Sequence, residues 1–101
     1  MIRSPRIREA AKGEKCTLNI AGVCNYDPET VVFCHFPDYD THGVSMKSCD
    51  LSGGFGCSDC HDAVDNRTRD TEFGKHAEFY LRRSQLRTMR RLFELGVLKT
   101  V

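Results

Sequence analysis

The apolar positions of this 101-residue chain fall into stretches of different period. Thr30-Val31-Val32-Phe33-Cys34-His35-Phe36 is β-branched and aromatic, and it predicts the best strand of the chain, stopped by Pro37. From Phe73 to Leu95 the period becomes helical. Ala77, Leu81, Leu92 and Leu95 fall on one side, Leu86, Met89 and Phe93 widen that stripe, and Gly96 closes the helix. Residues 6–12 predict a short helix ending at Gly13. Residues 16–20 alternate as a short strand, residues 21–25 turn on Gly22, and Asp27-Pro28 is a second break. Residues 37–56, rich in glycine, predict a long loop that leads into a second short strand near Phe55. Ser58 is expected to N-cap a helix reaching about Asn66, with Asp59 and Asp62 in its first turns. Residues 97–101 suggest a short edge strand.

This is an α+β pattern for one small domain spanning residues 1–101. No apolar run approaches the ~20 residues that span a bilayer, so no membrane partner is expected. Mean hydropathy is −0.45 and there is no Trp, so the core is small. Charge is unevenly laid out behind a net +1: the balance is +3 over residues 1–15, −7 over 16–72 and +5 over 73–101. The acidic middle suits a central cation and the basic ends suit a polyanion. Arg83, Arg87, Arg90 and Arg91 share an arc of about 100° on the C-terminal helix. That arc is either a solvated face or one that tracks phosphates.

Six cysteines, with a basic N-terminus that leads into no apolar stretch, point to a reducing compartment where thiols bind metal or catalyse. A secreted disulfide scaffold is the competing view. Cys57-Ser58-Asp59-Cys60 is a C-x-x-C pair, and Cys16 and Cys24 form a wider one. Two local thiol pairs are what a tetrahedral structural zinc site uses. A redox C-x-x-C lacks its βαβ surroundings here. The haem string C-x-x-C-H, spelled by residues 57–61, belongs to exported proteins. Cys34 is expected to be a buried hydrophobe and Cys49 a bystander.

His35 ends the best strand, and His61 follows the C-x-x-C directly, with Asp65 four residues on along the same helical face. Two imidazoles and a carboxylate can hold a Mg²⁺-like ion and activate water against a phosphodiester. The order Cys16, Cys24, His35, Cys57-x-x-Cys60-His61 resembles the His-Me finger (HNH) nucleases of endonuclease VII-like type. It is closer still to the prophage-encoded YbcO family. Its C-x7-C-N, P-E-T-x-V, strand-end His and C-S-x-C-H-D-x-x-D-x-R-T pattern is matched by residues 16–25, 28–32, His35 and residues 57–68.

The resemblance implies a zinc-stabilised ββα-metal core over about residues 14–68, with the C-terminal amphipathic helix over about 73–95. It implies a DNA endonuclease of bacterial cytoplasm that serves phage recombination or DNA processing, branched DNA included. His35 would be the general base, and His61 with Asp65 the site of a catalytic Mg²⁺ or Mn²⁺. Cys16, Cys24, Cys57 and Cys60 would hold structural zinc. Arg67 and Arg69 would hold phosphates, joined by the four arginines of the arc on the helix. Branched-DNA cutters of this type act as dimers, which makes a homodimer one expectation. Two positions depart from the general pattern. Cys34 stands where an acidic or His metal ligand is usual, and a thiolate is a poor Mg²⁺ ligand. The middle Asn has no counterpart between Ser48 and Gly56, Asp50 being the nearest substitute. The competing function is a non-enzymatic zinc module that docks on nucleic acid or on a protein. Such a module tolerates loss of His35, His61 and Asp65.

Overall fold

The computed structural model describes residues 2–36, 49–66 and 68–100. Pro37, most of the expected long loop, Arg67 and Val101 lie outside them. Among the described residues the chain forms a two-stranded sheet and four helices: α1 (Pro5–Glu9), β1 (Val32–His35), β2 (Gly53–Gly56), α2 (Ser58–Asp65), α3 (Glu72–Lys75) and α4 (Ala77–Glu94). No helix there is long and apolar enough to cross a membrane.

The strands pair antiparallel, with Val32 opposite Gly56 and His35 opposite Gly53. The chain passes from β2 into α2 through a single residue, Cys57, whose sulfur accepts from the Cys60 amide and caps the helix. The cap is therefore Cys57 and not Ser58, because the Cys57 sulfur itself satisfies a free helix N–H. The expected strand at residues 16–20 is not formed. Thr17 donates one backbone bond to Phe55 O at 2.8 Å, but Asn19 turns to φ 43° and Cys16 Sγ accepts the Asn19 amide, which breaks the alternation. The expected first helix starts one residue earlier, on a Ser4 cap with Pro5 at its first position, and ends at Glu9. Past the C-terminal helix, Val97 and Leu98 bond back to Leu92 O and pack on the core instead of extending as a strand.

The C-terminal helical pattern is cut in two at His76, where φ −131° and ψ 32° leave the helix. The break lets Phe73 and Tyr80 both reach the core, their rings 6.3 Å apart. The buried face of α4 keeps Leu92 of the expected stripe, with Ala77 and Leu81 partly buried against the core, but Leu95 is exposed and polar residues take much of the rest. Tyr80, Ser84, Thr88 and Leu92 point inward, while Leu86 and Phe93 are exposed together with Phe79.

Polar residues occupy that face because β2 is a sheet edge whose backbone needs partners. Thr17 and Thr88 hydroxyls accept from the Phe55 amide at 3.2 and 3.1 Å, and Thr17 also donates to Phe55 O at 2.9 Å. Ser84 and Thr88 bond to Thr17 at 2.7 and 2.9 Å, completing a buried hydroxyl cluster. The helix can come this close only because β2 reads Gly-Gly-Phe-Gly. A Cβ on Gly54 would overlap Ser84 Oγ and crowd Thr88 Oγ1. Gly54→Ala is therefore expected to cost about 1–3 kcal/mol of stability by overpacking. Urea unfolding measures this, and an unchanged midpoint contradicts the packing described.

Candidate active site and metal cluster

The loop over residues 16–25 and the start of α2 bring four cysteines together. One sulfur each from Cys16, Cys24, Cys57 and Cys60 lies within 4.8 Å of all the others. A tetrahedron with Zn–S bonds of about 2.3 Å sets its sulfurs about 3.8 Å apart, and Cys57 Sγ is 3.9 Å from Cys24 Sγ. The sequence-predicted ligands thus form a cluster that can hold a metal ion, and all-sulfur donors fit zinc. Gly22, at φ 75°, makes the turn that returns Cys24 toward Cys16. Nitrogen donors surround the sulfurs. The amides of Asn19, Asn25 and Cys60 reach Cys16, Cys57 and Cys57 at 3.5, 3.5 and 3.4 Å, and the Asn19 side chain reaches Cys24 at 3.5 Å. Such donors favour thiolate and orient the ligands. Cys16 is the thiol pulled down, because the Cys60 thiol donates to it and outweighs burial, with the Asn19 and Cys57 amides adding to the effect.

Cys34 stays apart from this cluster. It is fully buried, and burial pushes its thiol up to about 12. It is a neutral core residue at the position where the resemblance led one to look for a metal ligand. Cys49 is no bystander: it is buried, and its sulfur accepts the Ile2 amide at 3.3 Å.

His35 ends β1 with its ring edge-on to Phe33, centroids 5.1 Å apart. Its Nε2 lies 2.7 Å from Oδ1 of Asp50, a carboxylate with no exposed side-chain surface. Burying a carboxylate is costly unless donors surround it. Here the Ser4 amide reaches Oδ2 at 2.6 Å and Arg8 Nη1 at 2.7 Å, while Arg3 stands 3.6 Å from Oδ1. Burial pushes the Asp50 carboxyl up, but the His35 bond, the Ser4 amide, Arg8 and Arg3 together hold it below its ordinary value. Ser4, Arg8 and Arg3 lie more than 40 residues away in sequence, in an N-terminal arm whose basic composition signalled charge and not placement.

His61 sits in the first turn of α2, its Nε2 3.4 Å from Asp65 Oδ2, both side chains partly exposed. Among the described residues no hydrogen bond or ion pair joins His35 to either. Three of the four arginines of the expected arc on α4 are engaged within the chain. Arg83 donates to Leu18 O and Asn19 O at 2.9 and 3.2 Å and stacks 4.9 Å from the Phe79 ring. Arg87 donates to the Asn19 side chain at 3.0 Å, and Arg91 pairs with Glu14 at 2.6 Å. Arg90 and Arg69 are exposed, the latter in the turn between α2 and α3.

A family model described as "Putative nuclease YbcO" matches residues 5–97. The chain belongs to the YbcO family. "Putative nuclease YbcO" of Escherichia coli K12 is 41% identical over 68 residues, which is 67% of this chain and 71% of that protein. "Putative nuclease ybcO" of Enterobacteria phage 82 matches to the same extent. A solved structure of a putative bacteriophage protein from E. coli K-12 MG1655 superposes with a TM-score of 0.69 at 33% identity. It covers 90% of this chain and 100% of that one. The stretch shared with the YbcO family model includes all four clustered cysteines together with His35, Asp50, His61 and Asp65.

Two outcomes follow from this geometry. Protein purified without chelator is expected to carry about one zinc per chain. Cys57→Ser should lower both zinc content and thermal stability, and a zinc-free parent or an unaffected variant contradicts the cluster. The second concerns acid. Because the folded-state pKa of Asp50 lies below the ordinary 3.8, the group stabilises the fold above the ordinary carboxylate range. That contribution is lost as pH falls through the lower, folded value. Asp50→Asn should therefore flatten the acid-unfolding limb, and a limb of unchanged steepness contradicts the assignment.

Proposed function

We propose that this chain is a metal-dependent DNA endonuclease of the HNH type, a single nuclease domain acting in phage or prophage DNA processing. The observation that carries the reading is the placement of His35. It ends the first strand of a ββα unit, held by a buried carboxylate, while the third element of that unit opens on Cys57-Ser58-Asp59-Cys60-His61 within a four-cysteine cluster. That relatives at 41% identity carry the name nuclease supports the reaction class.

In this reading His35 is the general base. A water oxygen forms the new bond to phosphorus as its proton passes to the imidazole, and the bond from phosphorus to the leaving sugar oxygen breaks, that oxygen taking a proton from water. His61 and Asp65 offer one nitrogen and one carboxylate, a set that suits Mg²⁺ or Mn²⁺ with several waters retained. The metal would supply charge neutralisation at the phosphate. Zinc in the cysteine cluster is structural. Arg69 and Arg90, with Arg67, would hold the DNA backbone. Arg83, Arg87 and Arg91 would contribute only by exchanging their internal partners for phosphates. A homodimer is the expectation for branched DNA, and sedimentation of the chain alone and on a four-way junction reads it directly.

The test is cleavage of duplex, single-stranded and four-way-junction DNA with Mg²⁺ or Mn²⁺. His35→Ala should abolish cutting while zinc content and DNA affinity stay close to the parent's, because the base acts in the transition state. His61→Ala should be partly rescued by more Mg²⁺. Removing Arg69 and Arg90 together should reduce the salt dependence of binding by about two units of slope. A parent that binds DNA but cuts none of the three under any divalent metal returns the chain to a zinc-stabilised binding module.

A further inference from the structure

Asp50 and the N-terminal arm have no assigned part in this chemistry, yet they enclose His35. Each Asp50 oxygen takes two approaching groups: His35 Nε2 and Arg3 on Oδ1, the Ser4 amide and Arg8 on Oδ2. An ionised carboxylate only accepts. The 2.7 Å contact with His35 is therefore a hydrogen bond only if Nε2 carries the hydrogen. In the neutral ring the lone pair then sits on Nδ1.

The arm is fastened at the same place by two more bonds. The Asp50 amide donates to Ile2 O at 2.8 Å, and the Ile2 amide reaches Cys49 Sγ. On the ring side, Phe33 packs edge-on and restricts rotation. We infer that Asp50 is the positioning residue of His35: it fixes the Nε2–H tautomer, so that Nδ1 is the proton-accepting atom, and Ser4 and Arg8 fix Asp50. The choice of Nδ1 rests on the nuclease reading above, whereas the tautomer does not. This gives α1 and the residues before it a share in the proposed active site.

Asp50→Asn separates the possibilities. The two shorter non-histidine donors, the Ser4 amide and Arg8, lie on the Oδ2 side, so the single amide oxygen should turn toward them. The –NH₂ then faces His35 Nε2 and donates to it, which forces the hydrogen onto Nδ1. Long-range ¹⁵N–¹H spectra read the tautomer directly at about pH 8, above the ordinary imidazole range. The parent should show Nε2–H at His35 and the variant Nδ1–H. Cleavage should fall about 10²- to 10⁴-fold, the scale of a wrong-tautomer defect in a known His–Asp pair, with zinc content unchanged.

A parent with Nδ1–H overturns the inference whether or not the variant folds. So does a variant that switches tautomer yet cuts at the parent's rate. If the parent shows Nε2–H and the variant switches, but the parent cuts no DNA, the nuclease reading falls and Asp50 still stands as the group that sets the His35 tautomer.

Discussion

A four-sulfur cluster ties residues 16 and 24 to residues 57 and 60, and most of the remaining architecture hangs on that tie. The loop over residues 16–25 has no regular secondary structure to fix it. Leu18 and Ile20 anchor it in the core, but its path is set by two thiols on one side and by α4 on the other. Arg83 and Arg87 bond to Leu18 and Asn19, and the Tyr80 hydroxyl accepts from the Ala21 amide at 3.2 Å while donating to Glu72. Metal binding in such a small chain is folding free energy. Without the cluster, the cap of α2, the seat of α4 and the covering of the β2 edge by Thr17 would all lose a common support.

A division of labour follows. The cluster places α2, and with it His61 and Asp65, by capping the helix with a ligand sulfur. Asp50 places His35 by joining the end of β1 to an arm that begins the chain. Two independent fixtures, one a cluster of soft sulfurs that can hold a metal ion, one ionic and hydrogen-bonded, thus hold the two halves of the candidate site on different elements of one ββα unit.

How much of this the residues announce depends on where their partners lie. β1 is legible because its β-branched and aromatic run has a local cause. The cysteine ligands are legible because metal geometry imposes spacing. β2 is legible only as a position near Phe55, since its glycines reflect the close approach of a helix 30 residues later. Ser84 and Thr88 read as an unremarkable polar pair, because their burial answers the unpaired backbone of Phe55. The arginine arc is visible in the sequence, but its engagement with Leu18, Asn19 and Glu14 is not. Asp50 was visible only as a substitute for a missing Asn; its meaning comes from Ser4 and Arg8, which pattern alone does not connect to it.

In the proposed nuclease, His35 would face a divalent metal held by His61 and Asp65, within a fold supported by zinc at the four cysteines. Anomalous diffraction from crystals grown with a short DNA duplex and soaked in Mn²⁺ tests it most directly. A zinc peak is expected among the four cysteines and a manganese peak at His61 and Asp65, with a backbone phosphate between that manganese and Nδ1 of His35. Manganese bound elsewhere, or a phosphate remote from His35, would contradict it.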